Sequence, residues 1–189
     1  MRHKYETHGL VLARSHTGEA NTFVTMMTPD LGLVYARAQS LRKHGAKLAA
    51  SLVTFAESDV VLVRGKEGWR VTGAVLNENW FQRLRDIRTR SRAARVSGLL
   101  LRLVVGEVPE EELYPIMRGF LAALVECPVD MHEAIEILVV LRVLATLGLD
   151  TGEIPGEKTL YTTPVLAEVK EHRLRYISRI NIGLSASGL

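Results

Sequence analysis

The chain has one cysteine, Cys127, among 189 residues, which excludes an internal disulfide and a multi-thiolate zinc site and fits a reducing compartment. Long apolar runs are also missing, since none reaches the roughly 18 uninterrupted residues of a membrane span. The opening Met1-Arg2-His3-Lys4-Tyr5-Glu6 lacks the apolar region of a secretory signal. A soluble cytoplasmic protein with no membrane partner is expected. Signatures of catalysis are absent too: the sequence contains no G-x-x-x-x-G-K-[ST], H-E-x-x-H or G-x-S-x-G. His3, His8, His16 and His44 crowd into the first 44 residues without metal-ligand spacing or an accompanying carboxylate cluster, and read as surface residues. Cys127, between Glu126 and Pro128, has no cationic helix-start setting and reads as a packed or capping thiol. No active site, metal or cofactor follows from these residues, and an enzyme is not expected.

What is present is enough apolar material for a core, at 47% hydrophobic residues, and an uneven distribution of charge. The net charge is only +3, but residues 1 to 80 carry ten Lys/Arg against seven Asp/Glu, and residues 81 to 105 carry seven Arg against one Asp. Residues 106 to 150 reverse the sign, with nine acidic residues and two arginines. The first half is suited to a polyanion and the second to something else. A solvated surface is the plainer explanation for any single charge run.

From Tyr5 to about Leu76 the pattern is strand-like. Five strands are predicted, over Tyr5–Arg14, Asn21–Thr28, Leu33–Gln39, Ser58–Arg64 and Trp69–Leu76. Thr17-Gly18, Pro29-Asp30-Leu31-Gly32 and Gly65-Lys66-Glu67-Gly68 supply turns between them. The longer connection from Ser40 to Phe55 has an Ala-rich centre with room for a short helix. Five strands with an insertion after the third is the layout of an OB-fold, a small barrel that commonly binds oligonucleotides. After Trp80 the period becomes helical, with helices predicted over Phe81–Val105, Glu110–Glu126, Met131–Leu147 and Val165–Ile182. Pro109 before an acidic turn, Asp130 with Glu133 three residues on, and Thr163-Pro164 mark the later starts, and Gly148 is placed to end the third helix. Ile135 to Leu147 is apolar nearly all round, so that helix should be central. The expected organisation is an OB-fold nucleic-acid-binding domain over residues 1–80 and a helical domain over 81–189.

The most informative local stretch, Arg37 to Lys47, reads R-A-Q-S-L-R-K-H-G-A-K. Alternation puts Leu33, Tyr35, Arg37 and Gln39 on one face, opposite Val34, Ala36 and Ala38. If the small apolar set points inward, Tyr35 and Arg37 point outward together, ahead of a loop bearing Arg42, Lys43 and Lys47. Rings stack on bases while cations replace the counterions of phosphates, so this pattern suits a single strand. The competing reading makes Tyr35 a core or rim aromatic and the loop merely solvated. Phe23, Phe55 and Trp69 are assigned to packing. On the first predicted helix, Arg85, Arg88, Arg92, Arg95 and Arg102 fall within an arc of about 100°. They can follow a phosphate backbone or pair with the acidic helix around Glu110, Glu111 and Glu112. The candidate DNA-binding set is Arg14, Tyr35, Arg37, Arg42, Lys43, Lys47, Arg88, Arg92 and Arg95.

Several motifs, taken in order, resemble one family. They are G-L-V-L at Gly9–Leu12, G-E-A-N at Gly18–Asn21, F-V-T-M-M-T at Phe23–Thr28, L-G-L-V-Y-A-R-A at Leu31–Ala38, the basic loop Arg42–Lys47, L-x-x-F at Leu52–Phe55 and V-R-G-K-E-G-W at Val63–Trp69. The opening of RecO recombination mediators, bacterial DNA-repair proteins, is similar to this set, and E-L-Y at Glu112–Tyr114 and L-x-x-L-G-L at Leu144–Leu149 extend the likeness more loosely. The resemblance implies an OB-fold that binds and anneals single-stranded DNA. It also implies a helical domain contacting the tail of single-stranded-DNA-binding protein, cooperation with RecR to load the RecA recombinase, and a place at the nucleoid. The chain departs from the family at Gln39-Ser40, where Lys-Gly is common, and at Gly152–Thr163, where many members carry a four-cysteine zinc site. It is shorter than is usual, so the resemblance does not extend to partner contacts made by the further segment. A protein-interaction adaptor, a general single-strand-binding protein and a nuclease built from scattered residues are the competing functions.

Overall fold

A computed structural model describes residues 3–17, 21–39, 48–104, 106–107 and 110–189. The described residues divide into two compact units, one formed by Met1–Arg83 with Val104–Tyr114 and the other by Leu84–Leu103 with Pro115–Leu189.

The first unit is built on five strands, β1 (Lys4–Thr17), β2 (Asn21–Thr28), β3 (Gly32–Gln39), β4 (Ala56–Gly65) and β5 (Gly68–Asn79), which close into a barrel in the order β1-β2-β3-β5-β4. All pairings are antiparallel except β3 with β5. This is the five-stranded OB-fold expected from the sequence. The β2–β3 turn works as its residues dictate: the Thr28 hydroxyl accepts from the Leu31 amide and donates to the Gly32 carbonyl, both at 3.0 Å, and Gly32 takes φ 67°. Val11, Val24, Met26, Val34, Ala36, Ala38, Leu52, Val60, Leu62, Trp69 and Val71 form the core inside the strands.

β1, β4 and β5 are longer than expected, and β1 carries a bulge, its register shifting between Val11 and Ala13. The extra residue, Leu12, reverses the in–out alternation along the rest of the strand. In the 40–55 connection the expected short helix is present as a single 3-10 turn, Ala50–Leu52, and residues 40–47 lie outside the described part. Phe55 then adopts φ 64°, held by its amide on the Val11 carbonyl (2.7 Å) and its carbonyl on the Trp80 amide (3.1 Å). Glu57 beside it is buried, its carboxylate accepting from the Trp80 indole at 3.0 Å and the Tyr114 hydroxyl at 3.2 Å.

The helices are α1 (Trp80–Arg83), α2 (Ile87–Leu103), α3 (Leu113–Glu126), α4 (His132–Thr146), α5 (Thr163–Glu171) and α6 (Arg173–Ala186). In the second unit α4 packs against α2, α5 and α6, and nearly all its side chains from Ala134 to Leu144 are buried, as its uniform apolarity requires. Gly148, at φ 72°, ends it. Its one buried cation, Arg142, donates to the Leu160 carbonyl at 2.8 Å and lies 4.5 Å from the Tyr161 ring centroid. Burial pushes the guanidinium pKa down and the Tyr161 phenol up. Two predicted helices are each two in the structure. The last is interrupted at His172, between α5 and α6. The first breaks at Leu84-Arg85-Asp86, because Asp86 starts a new helix: its carboxylate accepts from the Thr89 amide (3.0 Å) and the Thr89 hydroxyl (2.6 Å). Those two bonds hold the Asp86 carboxyl below its ordinary range.

A depressed folded pKa means that this cap stabilises the fold at neutral pH and is lost as pH falls through the depressed value. Asp86→Ala is expected to lower the thermal midpoint at pH 7 by roughly 2–4 °C. The deficit should shrink as the wild-type cap protonates in acid, which calorimetry at pH 7 and pH 3 can check.

Candidate nucleic-acid interface

Register decides which side chains share the outside of the barrel. Val34, Ala36 and Ala38 are wholly buried in the core, so Tyr35 and Arg37 between them face outward. Across the ladders Arg37 is opposite Phe23 of β2 on one side and Arg70 of β5 on the other. Tyr35 is 54% exposed, and its ring stacks on Phe23 with centroids 4.8 Å apart and planes 1° from parallel. Phe23 therefore does pack, but on the outside, where it fixes the orientation of Tyr35 and enlarges the aromatic surface. Three neighbouring strands thus present an aromatic pair and two guanidinium groups together.

Beside them the β4–β5 hairpin rims a groove of about 540 Å³ lined by Arg37, Arg64, Lys66, Glu67, Trp69 and Arg70, among others. Arg37 meets Glu67 at 3.5 Å, with the glutamate 81% exposed. Such a surface pair is worth no more than about 1 kcal/mol and exchanges readily for another anion. Arg64 lies 5.1 Å from the Trp69 ring centroid and pairs with Glu107 at 2.8 Å. The chemistry on offer is stacking for a flat ring and charge for phosphates.

The other candidates are distributed differently. Arg14 lies beyond the bulge, opposite the core residue Val24. It therefore shares the inner face of the sheet, with a buried Nε that has no partner among the described residues, and does not join Tyr35 and Arg37. Arg42, Lys43 and Lys47 lie outside the described residues. On α2, Arg92 and Arg95 converge on Glu136 of α4, Arg95 forking onto both carboxylate oxygens at 2.9 Å. The hydrogen bonds to Glu136 push the Arg95 pKa up. Arg88 is exposed and has no ion-pair partner among the described residues, while Arg85 precedes the helix. Two arginines of the stripe, Arg92 and Arg95, thus pair with α4 through Glu136.

Arg70, Lys66 and the outward role of Phe23 were not singled out from sequence. The signal for Arg70 is its position one residue after Trp69, which alternation turns outward once the tryptophan is known to be buried. Among the described residues no group of three His, Cys, Asp or Glu side chains is arranged to hold a metal, and no helix is long and apolar enough to cross a membrane. Burial raises the Cys127 thiol pKa, and its sulfur approaches the Tyr161 carbonyl at 3.9 Å, as a packed thiol does.

Residues 1–78, which contain every described residue of the outward group, match the family model for the recombination protein O N-terminal domain. The N-terminal 78 residues of this chain belong to the RecO family. The DNA repair protein RecO of Dehalococcoides mccartyi strain 195 is 31% identical to it over 124 residues, 66% of this chain and 47% of that protein. Those of Nostoc sp. PCC 7120 and Roseiflexus sp. RS-1 are 26% and 32% identical, over 68% and 64% of this chain and 43% and 42% of theirs. The chain thus spans somewhat under half the length of these RecO relatives.

Tyr35→Ala is expected to leave the barrel folded, because the ring is on the outside, and to weaken binding of a single-stranded oligonucleotide by about 1–3 kcal/mol. Tyr35→Phe should retain most of the affinity. Fluorescence anisotropy titrations of the two variants make the comparison.

Proposed function

We propose that this chain binds single-stranded DNA on the outer face of β2, β3 and β5 and acts, without catalysis, as a recombination mediator in DNA repair. The observation that carries the reading is the juxtaposition of the stacked Phe23–Tyr35 pair with Arg37 and Arg70. Bases stack on the exposed ring, and the guanidinium groups take phosphates in place of counterions. The names of its relatives, all DNA repair proteins, support the setting. In this reading the protein anneals complementary strands, works in the bacterial cytoplasm at the nucleoid, and cooperates with RecR to load RecA. Single-stranded-DNA-binding protein contacts the helical domain, residues 81–189, while residues 1–80 hold DNA.

The remaining candidates take graded roles. Arg42, Lys43 and Lys47 follow β3 in the sequence and add positive charge for phosphates, and Arg88 is available to phosphate on α2. Arg92 and Arg95 must exchange Glu136 for phosphate, and leaving that half-buried carboxylate unpaired costs more than releasing Glu67 from Arg37. Arg14 contributes from the inner side of the sheet only if the strand's end shifts.

The quadruple variant Arg37→Ala, Arg42→Ala, Lys43→Ala, Lys47→Ala is expected to lose most oligonucleotide affinity at low salt. The slope of log K against log salt should flatten by roughly 0.7 for each phosphate contact removed. Unchanged affinity and slope in that variant would reject the assignment of these residues. Binding of an acidic partner tail with no detectable DNA affinity would instead favour a protein-interaction adaptor.

A further inference from the structure

The row that passes through Phe23, Arg37 and Arg70 does not stop at β5. Arg70 is opposite Val63 of β4, and Val63 is opposite Lys4 of β1. In the other direction Phe23 is opposite Ser15, also of β1. One register row therefore crosses all five strands, and the stagger of the closed barrel returns it to β1 eleven residues from where it began. Along it Lys4, Arg70 and Arg37 carry positive charge and Phe23 carries the ring.

The surface between Lys4 and Arg70 has the shape for a strand. A second groove, of about 460 Å³, is lined by Lys4, Val61, Val63, Arg70, Thr72 and Gly73, and it meets the first along Val63 and Arg70. Gly73 leaves its floor low; a Cβ there would come within 3.3 Å of the Val61 side chain. The rows on one side carry two acidic residues. Glu6 is opposite Val61, and His8 is opposite Asp59, with which it pairs at 2.6 Å. A polyanion is thus held to the level of Lys4 and Arg70 by attraction along the row and repulsion beside it.

We propose that a nucleic-acid strand seated on the Phe23–Tyr35 pair continues across the outside of β5 and β4 to Lys4, with Arg70 as the contact common to both grooves. This rests on the barrel-binding reading above and adds a course and an end point to it. The row from β2 to β1 spans four strand intervals, about 19 Å.

The test compares Lys4→Glu with Arg37→Ala on trithymidylate and on a sixteen-residue oligothymidylate, by NMR and anisotropy titration. The trinucleotide has two internucleotide phosphates, enough for Arg37 and Arg70 but not for Lys4 as well. Lys4→Glu is expected to weaken the long oligonucleotide about fivefold and to flatten its salt slope by roughly 0.7 or more, with a loss under about twofold on the trinucleotide. Arg37→Ala should weaken both. Lys4 is exposed, so folding should survive, and Lys4→Ala, smaller in effect but unequal between the two lengths in the same way, provides a second variant. Equal losses on both lengths, or none on either, while Arg37→Ala still weakens both, would overturn the extended track and leave the barrel reading standing. No effect of either variant would overturn both.

Discussion

Two non-consecutive pairings, β1 with β4 and β3 with β5, close the barrel, and the arrangement of everything on its surface depends on them. An open meander of the first three strands would bury one side of Val34, Ala36 and Ala38 and leave Arg37 without a neighbour on its free edge. Closure places Arg70 beside it in parallel register and puts the β4–β5 hairpin, with Lys66 and Glu67, along the same rim. It also pairs Ala36–Ala38 with Trp69–Val71, so along this row the outer face offers side chains rather than unpaired backbone groups to a partner. The five-strand row is a consequence of this geometry rather than of any contiguous motif.

Energetics separate the cations into two kinds. Among the described residues Arg37 is tied only to a freely exposed glutamate on a hairpin turn, a contact that water and salt screen. Arg92 and Arg95 share Glu136, of which 19% is exposed, through forked geometry, and separating such a group leaves a poorly solvated charge behind. A stripe of arginines drawn on a helical wheel does not distinguish these cases. The difference lies in what stands opposite on α4.

Much of the fold was legible because its determinants are local. Turn residues at Pro29–Gly32 and Gly65–Gly68 delimited the strands, and the small apolar set of β3 announced its inner face. Apolarity on all sides of α4 announced its central place. What stayed hidden depended on single residues acting against the periodic pattern. The Leu12 bulge turned Arg14 inward, and the Asp86 cap split a continuous helical period. Pairing across the closed barrel, which no local pattern encodes, made Arg70 the neighbour of Arg37, and the register of the β2–β3 hairpin brought Phe23 onto Tyr35. The family likeness, carried by motifs in the first 80 residues, spoke for the barrel and its setting but not for these details.

The central claim is that the outward aromatic pair, and not another surface, meets the bases. Ultraviolet cross-linking of the purified chain to a halogenated single strand, followed by mass mapping of the adducts, tests it directly. Adducts on Tyr35 and Phe23, within the peptide covering β2 and β3, are predicted. Adducts confined to tyrosines of the second unit, such as Tyr161 or Tyr176, would contradict the account.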